Sequence, residues 1–138
     1  MKQHSLRLTI PTHGPGFTDL TAKLRKFVAD TKIVTGLLTV FVPHTSASLL
    51  IQENADPDVL RDLKDAYARL APRSASYRHS TEGPDDMPAH IRSALSQTSI
   101  GIPVEAGAPA LGVWQAVYLF EHRDESHSRE VLLHLIGD

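Results

Sequence analysis

The 138-residue chain contains no cysteine. Disulfides, zinc ribbons and thiol nucleophiles are therefore excluded, and any metal must be held by His, Asp or Glu. Aromatic side chains are scarce, with one Trp, three Tyr and four Phe, so few rings are available to stack on a base. Neither sign of charge dominates: fourteen Lys plus Arg oppose sixteen Asp plus Glu, a net charge of −2. That balance speaks against nucleic acid as a partner. Apolar runs such as Gly36 to Pro43 are far too short to span a bilayer, and the opening MKQHSLRLTI has no signal-peptide core. No membrane association is expected, and cytoplasmic residence is the default. At 41% hydrophobic and 22% charged, the composition is that of a globular protein. The length suits a single domain over residues 1–138, able to bury roughly two-thirds of its unfolded surface without covalent staples.

What the chain does have is histidine, eight residues in all and not gathered in a tract. His4, His13, His122 and His127 fall near the terminus, loops or a strand end and read as solvated. His134, inside VLLHLIG, is expected to point off a sheet face. His44, His79 and His90 each lie among other polar residues of chemical interest.

SLRLTI alternates apolar and polar residues and reads as a half-buried strand, with Leu6, Leu8 and Ile10 on one face. Pro11, Gly14, Pro15 and Gly16 break it. Thr18 or Asp19 then caps a helix in which Leu20, Leu24, Phe27 and Val28 recur at helical spacing. LLTVFV is a β-branched and aromatic strand ended by Pro43, and Ser46 to Gln52 forms another. Asp56-Pro57 is a helix start, with the stripe Val59, Leu60, Leu63, Tyr67 and Leu70 behind it and Pro72 at its end. A polar loop over 73–85 leads to a short helix from Met87 to Ser96, capped by Asp86, with Ile91 and Leu95 facing the core. Strands over 98–104, 111–122 and 130–136 close the chain. Interleaved helices followed by hairpins point to an α+β fold with a mainly antiparallel or mixed sheet. No Gly-rich nucleotide loop is present.

Four segments are candidates for chemistry. In Pro43-His44-Thr45-Ser46-Ala47-Ser48, at a strand end, hydroxyl residues such as Ser46 can bond phosphate oxygens or orient an imidazole. His44 and Ser46 on one strand lie roughly 6–7 Å apart, too far for a nucleophile–base pair. In Glu53-Asn54-Ala55-Asp56 the cap explains only Asp56, leaving a carboxylate free to act as ligand, base or partner to a His. The third and densest segment runs from Tyr77 to His90. Asp86 and His90, four apart at the head of a helix, share a direction, and His79 approaches from the loop. With His44 they would suit a Zn²⁺ site with an open position, or carboxylates for Mg²⁺; solvated loop residues and caps are the simpler explanation. In the fourth, Leu111-Gly112-Val113-Trp114-Gln115, the Trp is expected to be structural and packed in the sheet, and a buried Gln115 would need partners.

HTSASLLIQENADPDV, YRHSTEGPDDMPAHI, TSIGIPVEAG and LGVWQAVYLFEHR occur here in that order, and together they resemble the YjbQ family of small bacterial and archaeal proteins. The resemblance covers roughly residues 36–137. It departs at Val113, where relatives commonly carry Thr, and at Gln52, often Asn. It implies an α+β fold with a curved sheet over helices, assembled as a homotrimer. It carries over His44, Glu53, Asn54 and Asp86 as catalytic residues and His44, His79 and His90 as ligands of a divalent metal, Zn²⁺ or Mg²⁺. Ser46 and Arg129 are expected at phosphate, supported by Gln115 and Glu121. The activity implied is a weak thiamine phosphate synthase reaction on a small phosphorylated metabolite, joining a pyrimidine methyl diphosphate to a thiazole phosphate with release of pyrophosphate. The competing expectation is a trimeric metal- or anion-binding protein without turnover.

Overall fold

A computed structural model describes all of residues 1–138. The chain runs β1 (Lys2–His13), β2 (Gly16–Asp19), α1 (Thr21–Thr31), β3 (Gly36–Phe41), β4 (Ala47–Glu53), α2 (Pro57–Leu70), α3 (Asp86–Leu95), β5 (Ser99–Glu105), β6 (Ala108–Pro109), β7 (Gln115–Glu121) and β8 (Ser126–Gly137). This is the α+β architecture expected, with every strand pairing antiparallel. A five-stranded sheet has the order β1-β8-β3-β5-β6, and a three-stranded sheet the order β2-β7-β4.

The first and last strands pair along their whole length, from Lys2 opposite Gly137 to His13 opposite Ser126. The alternation read in SLRLTI is thus the middle of a much longer strand. On its other side β8 meets β3, where Gly36 faces Gly137. A Cβ on either glycine would run into the backbone opposite, so only glycine fits this close approach. Leu38 and Val40 of β3, Leu133 and Leu135 of β8, Leu49 of β4, Leu119 of β7 and Leu24 and Val28 of α1 join one continuous core. Each such side chain stabilises by roughly 1.5–3 kcal/mol through burial.

Several elements differ from the sequence reading. Gly16–Asp19, read as a break, is strand β2 against β7. Gly14, at φ 100°, supplies the turn that lets the chain double back into it. Asp56 does cap α2, accepting from the Asp58 N–H at 2.9 Å, but α2 buries no residue fully; its stripe is half-buried from Val59 to Tyr67, and Leu70 is exposed. Helix α3 begins at Asp86 rather than after it, and Asp85 occupies the cap position without a side-chain cap bond. The Asp85 carboxylate is used instead by Arg123 Nε and the Asp124 N–H, both at 2.9 Å. Leu95 is exposed rather than in the core.

The long strand expected from Leu111 starts only at Gln115. Gly112 N–H donates to Gln115 Oε1 at 2.8 Å, and Gln115 N–H donates to the Gly112 carbonyl at 3.0 Å. This closed turn lifts Val113 and Trp114 out of the sheet, leaving Trp114 62% exposed. Trp114 is therefore not a core residue of the chain.

Candidate functional site

His79, Asp86 and His90 converge. Residues 86 and 90 are one turn apart on α3, and the preceding loop folds His79 onto the same carboxylate. Asp86 is almost fully buried, and its Oδ2 lies 2.6 Å from His79 Nε2 and 3.1 Å from His90 Nε2. One ligand atom from each residue falls within 4.8 Å of the others. Arg123 supports the carboxylates from behind, donating through Nη1 to Asp86 Oδ1 at 2.7 Å and through Nε to Asp85. Burial pushes the Asp86 carboxyl up, but the His79 bond, the His90 charge and Arg123 outweigh it and hold it below the usual range.

His90 is in an unusual position. Its Nδ1 donates to the Thr45 carbonyl at 3.0 Å. A neutral imidazole has a single N–H, so Nε2 then turns a lone pair on the carboxylate oxygen of Asp86. A cation is needed between them, either a second proton on the ring or a metal ion. Two ligands of a tetrahedral ion with bonds of 2.0–2.1 Å lie about 3.3 Å apart, close to the 3.1 Å between His90 and Asp86. The 2.6 Å between His79 and Asp86, by contrast, is a direct hydrogen bond that has to open to admit an ion.

His44, expected as the third imidazole, is not part of this cluster. Its Nε2 accepts the Glu130 N–H at 2.8 Å, so the neutral ring carries its proton on Nδ1. Burial, followed by the Arg129 charge, pushes its pKa down. His44 instead joins two open clefts. One, of about 400 Å³, reaches from His44 and Thr98 to His90, Ser93 and Ser96. The other, of about 540 Å³, reaches from His44 and Thr98 to Phe41, Ser46 and Arg129.

Ser46, Glu121 and Arg129, expected at phosphate, bond with one another. Glu121 accepts five hydrogen bonds: two from Arg129 at 2.6 Å, one from Thr12 at 2.6 Å, and the His122 and Arg123 N–H groups at 2.9 and 3.0 Å. These outweigh burial and hold its carboxyl below the usual range. Arg129 Nη2 also donates to Ser46 Oγ at 3.0 Å, which leaves Nη1 as the guanidinium nitrogen without a protein partner. Glu53, Asn54 and Gln115 lie elsewhere. They occupy the far end of the β4–β7 pair, where Glu53 faces Gln115 while Ala47 faces Glu121. The six intervening rises amount to about 20 Å. There Glu53 Oε2 accepts the Asp56 N–H at 3.3 Å and Asn54 N–H donates to the Trp114 carbonyl at 3.0 Å, both turn-building bonds.

Sequence reasoning missed Arg123 and His122. The signal for Arg123 was Asp85-Asp86 itself, since two adjacent carboxylates heading a helix need a cation. His122 is not solvated: it is 1% exposed, with Nε2 2.8 Å from Ser48 Oγ. Burial, with the Arg92 charge next, pushes its pKa down to about 3. No sequence pattern distinguished it.

The family model described as UPF0047 protein YjbQ-like matches residues 6–138. The chain belongs to the YjbQ family. It is 54% identical to the UPF0047 protein sll1880 of Synechocystis sp., over 99% of this chain and 94% of that one. It is 39% identical to the UPF0047 protein YjbQ of Escherichia coli O157:H7, over 95% and 96%. Among solved structures, an uncharacterised conserved YjbQ/UPF0047 family protein from Clostridium acetobutylicum matches with TM-score 0.84 and 34% identity, over 99% of this chain and all of that one. A YbjQ-like protein of unknown function from Sulfolobus solfataricus P2 matches with TM-score 0.88, covering 99% and 100%, and at 19% identity this shows the shared fold alone. No helix of the chain is long and apolar enough to cross a membrane.

Proposed function

We propose that the chain holds a divalent metal between His79, Asp86 and His90, and acts on a small phosphorylated metabolite lying in the clefts that run past His44 to Arg129. The observation carrying this reading is His90, whose two nitrogens both face oxygen acceptors. Two imidazoles and one carboxylate with a position left open suit Zn²⁺ better than Mg²⁺, which prefers oxygen ligands. A bound ion would supply charge stabilisation for a departing phosphate. The protein's own contributions are His44 Nδ1–H as a donor between the clefts, and Arg129 Nη1 with Ser46 at the far end. Arg123 holds Asp85 and Asp86 in their ionised form.

The reaction proposed is the one implied by the family resemblance. The thiazole ring nitrogen forms a C–N bond to the pyrimidine methylene carbon as its C–O bond to diphosphate breaks, and pyrophosphate leaves with the electron pair. Phe41 is the one aromatic side chain lining either cleft, so little is offered to sandwich a pyrimidine. That observation favours the second reading, a metal- or anion-binding protein without turnover. Under either reading the assembly proposed is a homotrimer. Its support is the outer face of the five-stranded sheet, where the facing pair Leu37 and Ile136 and the neighbouring Phe41 are 46%, 37% and 41% exposed.

Metal content of the purified protein after dialysis tests the centre. About one Zn²⁺ per chain is expected, and Asp86→Asn or His90→Ala should lower it at least about tenfold, as loss of a ligand does. A wild-type protein that retains no metal and is indistinguishable from both variants overturns the proposal. Pyrophosphate release from the two thiamine precursors, present in wild type and lost in Asp86→Asn, decides between enzyme and binding protein.

A further inference from the structure

The centre at Asp86 accounts for the histidines around it and leaves one charge unexplained. Arg92, two residues beyond His90 on α3, is only 8% exposed. Its Nη2 donates to the Ala71 carbonyl at 3.0 Å, and its Nε has no partner at all. The neighbouring carboxylates are taken: Asp85 and Asp86 by Arg123, Glu121 by Arg129 and Asp124 by Arg73. A buried guanidinium without a counter-charge is costly, and folded proteins ordinarily supply one.

Arg92 opens onto a cavity of about 190 Å³ beneath α2. Lys64 and Tyr67 from α2, Arg73 after it, and Phe120 and Glu121 from β7 line the space. Three cations thus line it. Arg73 is paired through both terminal nitrogens with Asp124, which leaves Arg92 and Lys64 without a counter-charge. Glu121 is neutralised by Arg129 through both its oxygens, which leaves Asp65, exposed on α2, as the competing carboxylate. A second orphan lies beside the cavity wall. His122, with its ring centroid 4.2 Å from that of Phe120, is buried with Nδ1 unpartnered. A water molecule would satisfy a hydrogen bond here but not the charge. The cavity shares no lining residue with the clefts at His44 and His90.

We infer that this cavity is a separate binding site for a small tetrahedral oxyanion, a phosphate ion or the phosphate head of a small ester, with Arg92 as its buried anchor and Lys64 nearer solvent. Guanidinium groups suit this ligand because their forked N–H donors match paired phosphate oxygens.

Inorganic phosphate titrated into the chelator-treated full chain, followed by calorimetry, tests the site. At least one saturable site per chain is expected, assigned to this cavity by its response to changes at residues 64, 65 and 92. Lys64→Ala, at the solvent side of the cavity, should weaken binding by about two- to fivefold, and Asp65→Asn should tighten it. Arg92→Gln should abolish it, and His90→Ala should leave it unchanged. Should Arg92→Gln fail to fold, the opposite shifts of Lys64→Ala and Asp65→Asn carry the decision. Glycerol phosphate binding more tightly than inorganic phosphate identifies the ligand as an ester head; equal affinity identifies the free ion. Absence of saturable binding overturns the inference. So does binding that Lys64→Ala and Asp65→Asn leave unaltered, whether or not His90→Ala removes it.

Discussion

Glu121 and His122 are neighbours in sequence and opposites in burial chemistry. Glu121 is ionised inside the protein because Arg129 and three other donors reach it, whereas His122 is kept neutral by burial and the Arg92 charge. Glu121→Gln leaves Arg129 as an uncompensated buried cation, for which about 3–5 kcal/mol of destabilisation is expected in urea unfolding. A cost below about 1 kcal/mol would show that the pair is dispensable. For His122 the direction is set by linkage. The unfolded imidazole takes up a proton below about 6.5, whereas the folded one resists until about 3. Stability is therefore full above pH 6.5 and declines as pH falls toward 3, with a slope of up to about 1.4 kcal/mol per pH unit. Burial lowers His44 in the same sense. The Glu121 carboxyl, held low, loses its contribution only below its unfolded range, so pH 4.5–6.5 belongs mainly to these imidazoles. His122→Gln should flatten the urea-derived stability curve across that interval, and parallel curves for variant and wild type would refute the assignment. None of this was visible in the sequence, where both residues look like the polar end of a strand.

At the level of elements, local chemistry was legible wherever one residue dictates one geometry. Asp56-Pro57 starts α2 and Asp56 caps it; Asp56→Ala should cost about 1 kcal/mol, measured by thermal or urea unfolding, with no effect on metal content. The spacing of Asp86 and His90 was legible for the same reason, since four residues on a helix fix a shared direction. What failed was continuity along strands. Leu111 to Trp114 has the composition of a strand, yet the Gln115 side chain captures the Gly112 N–H and closes a turn. A side chain folding back on its own backbone has no signature in hydrophobic alternation. The same limit separated Glu53 and Asn54 from the histidines. Residues 44 and 53 are close in sequence, but a straight β4 carries them to opposite ends of the sheet.

The whole molecule buries one face of its larger sheet and leaves the other open, with an apolar patch at Leu37, Phe41 and Ile136 among polar neighbours such as Arg7, Glu130 and His134. Leu38 and Val40 of β3 point into the core, whereas Leu37 and Phe41 on the same strand point away from it. The alternation in LLTVFV is therefore apolar on both faces, a pattern ordinarily found in strands covered on both sides. In a single chain nothing covers the outer face, and exposed apolar patches of this kind mark contact surfaces. Phe41 also lines the cleft at His44 and Arg129, so a second copy docked there would wall that cleft and exclude water from it. Leu37→Glu introduces a charge at a position 46% exposed in the single chain, where it disturbs no core contact but must be desolvated on association. Sedimentation should change from a trimer for the wild type to a 15.1 kDa monomer for the variant, with the far-ultraviolet dichroism of the fold retained. A wild type that already sediments as a monomer at micromolar concentration would remove the trimer, and the apolar face would then require a different partner.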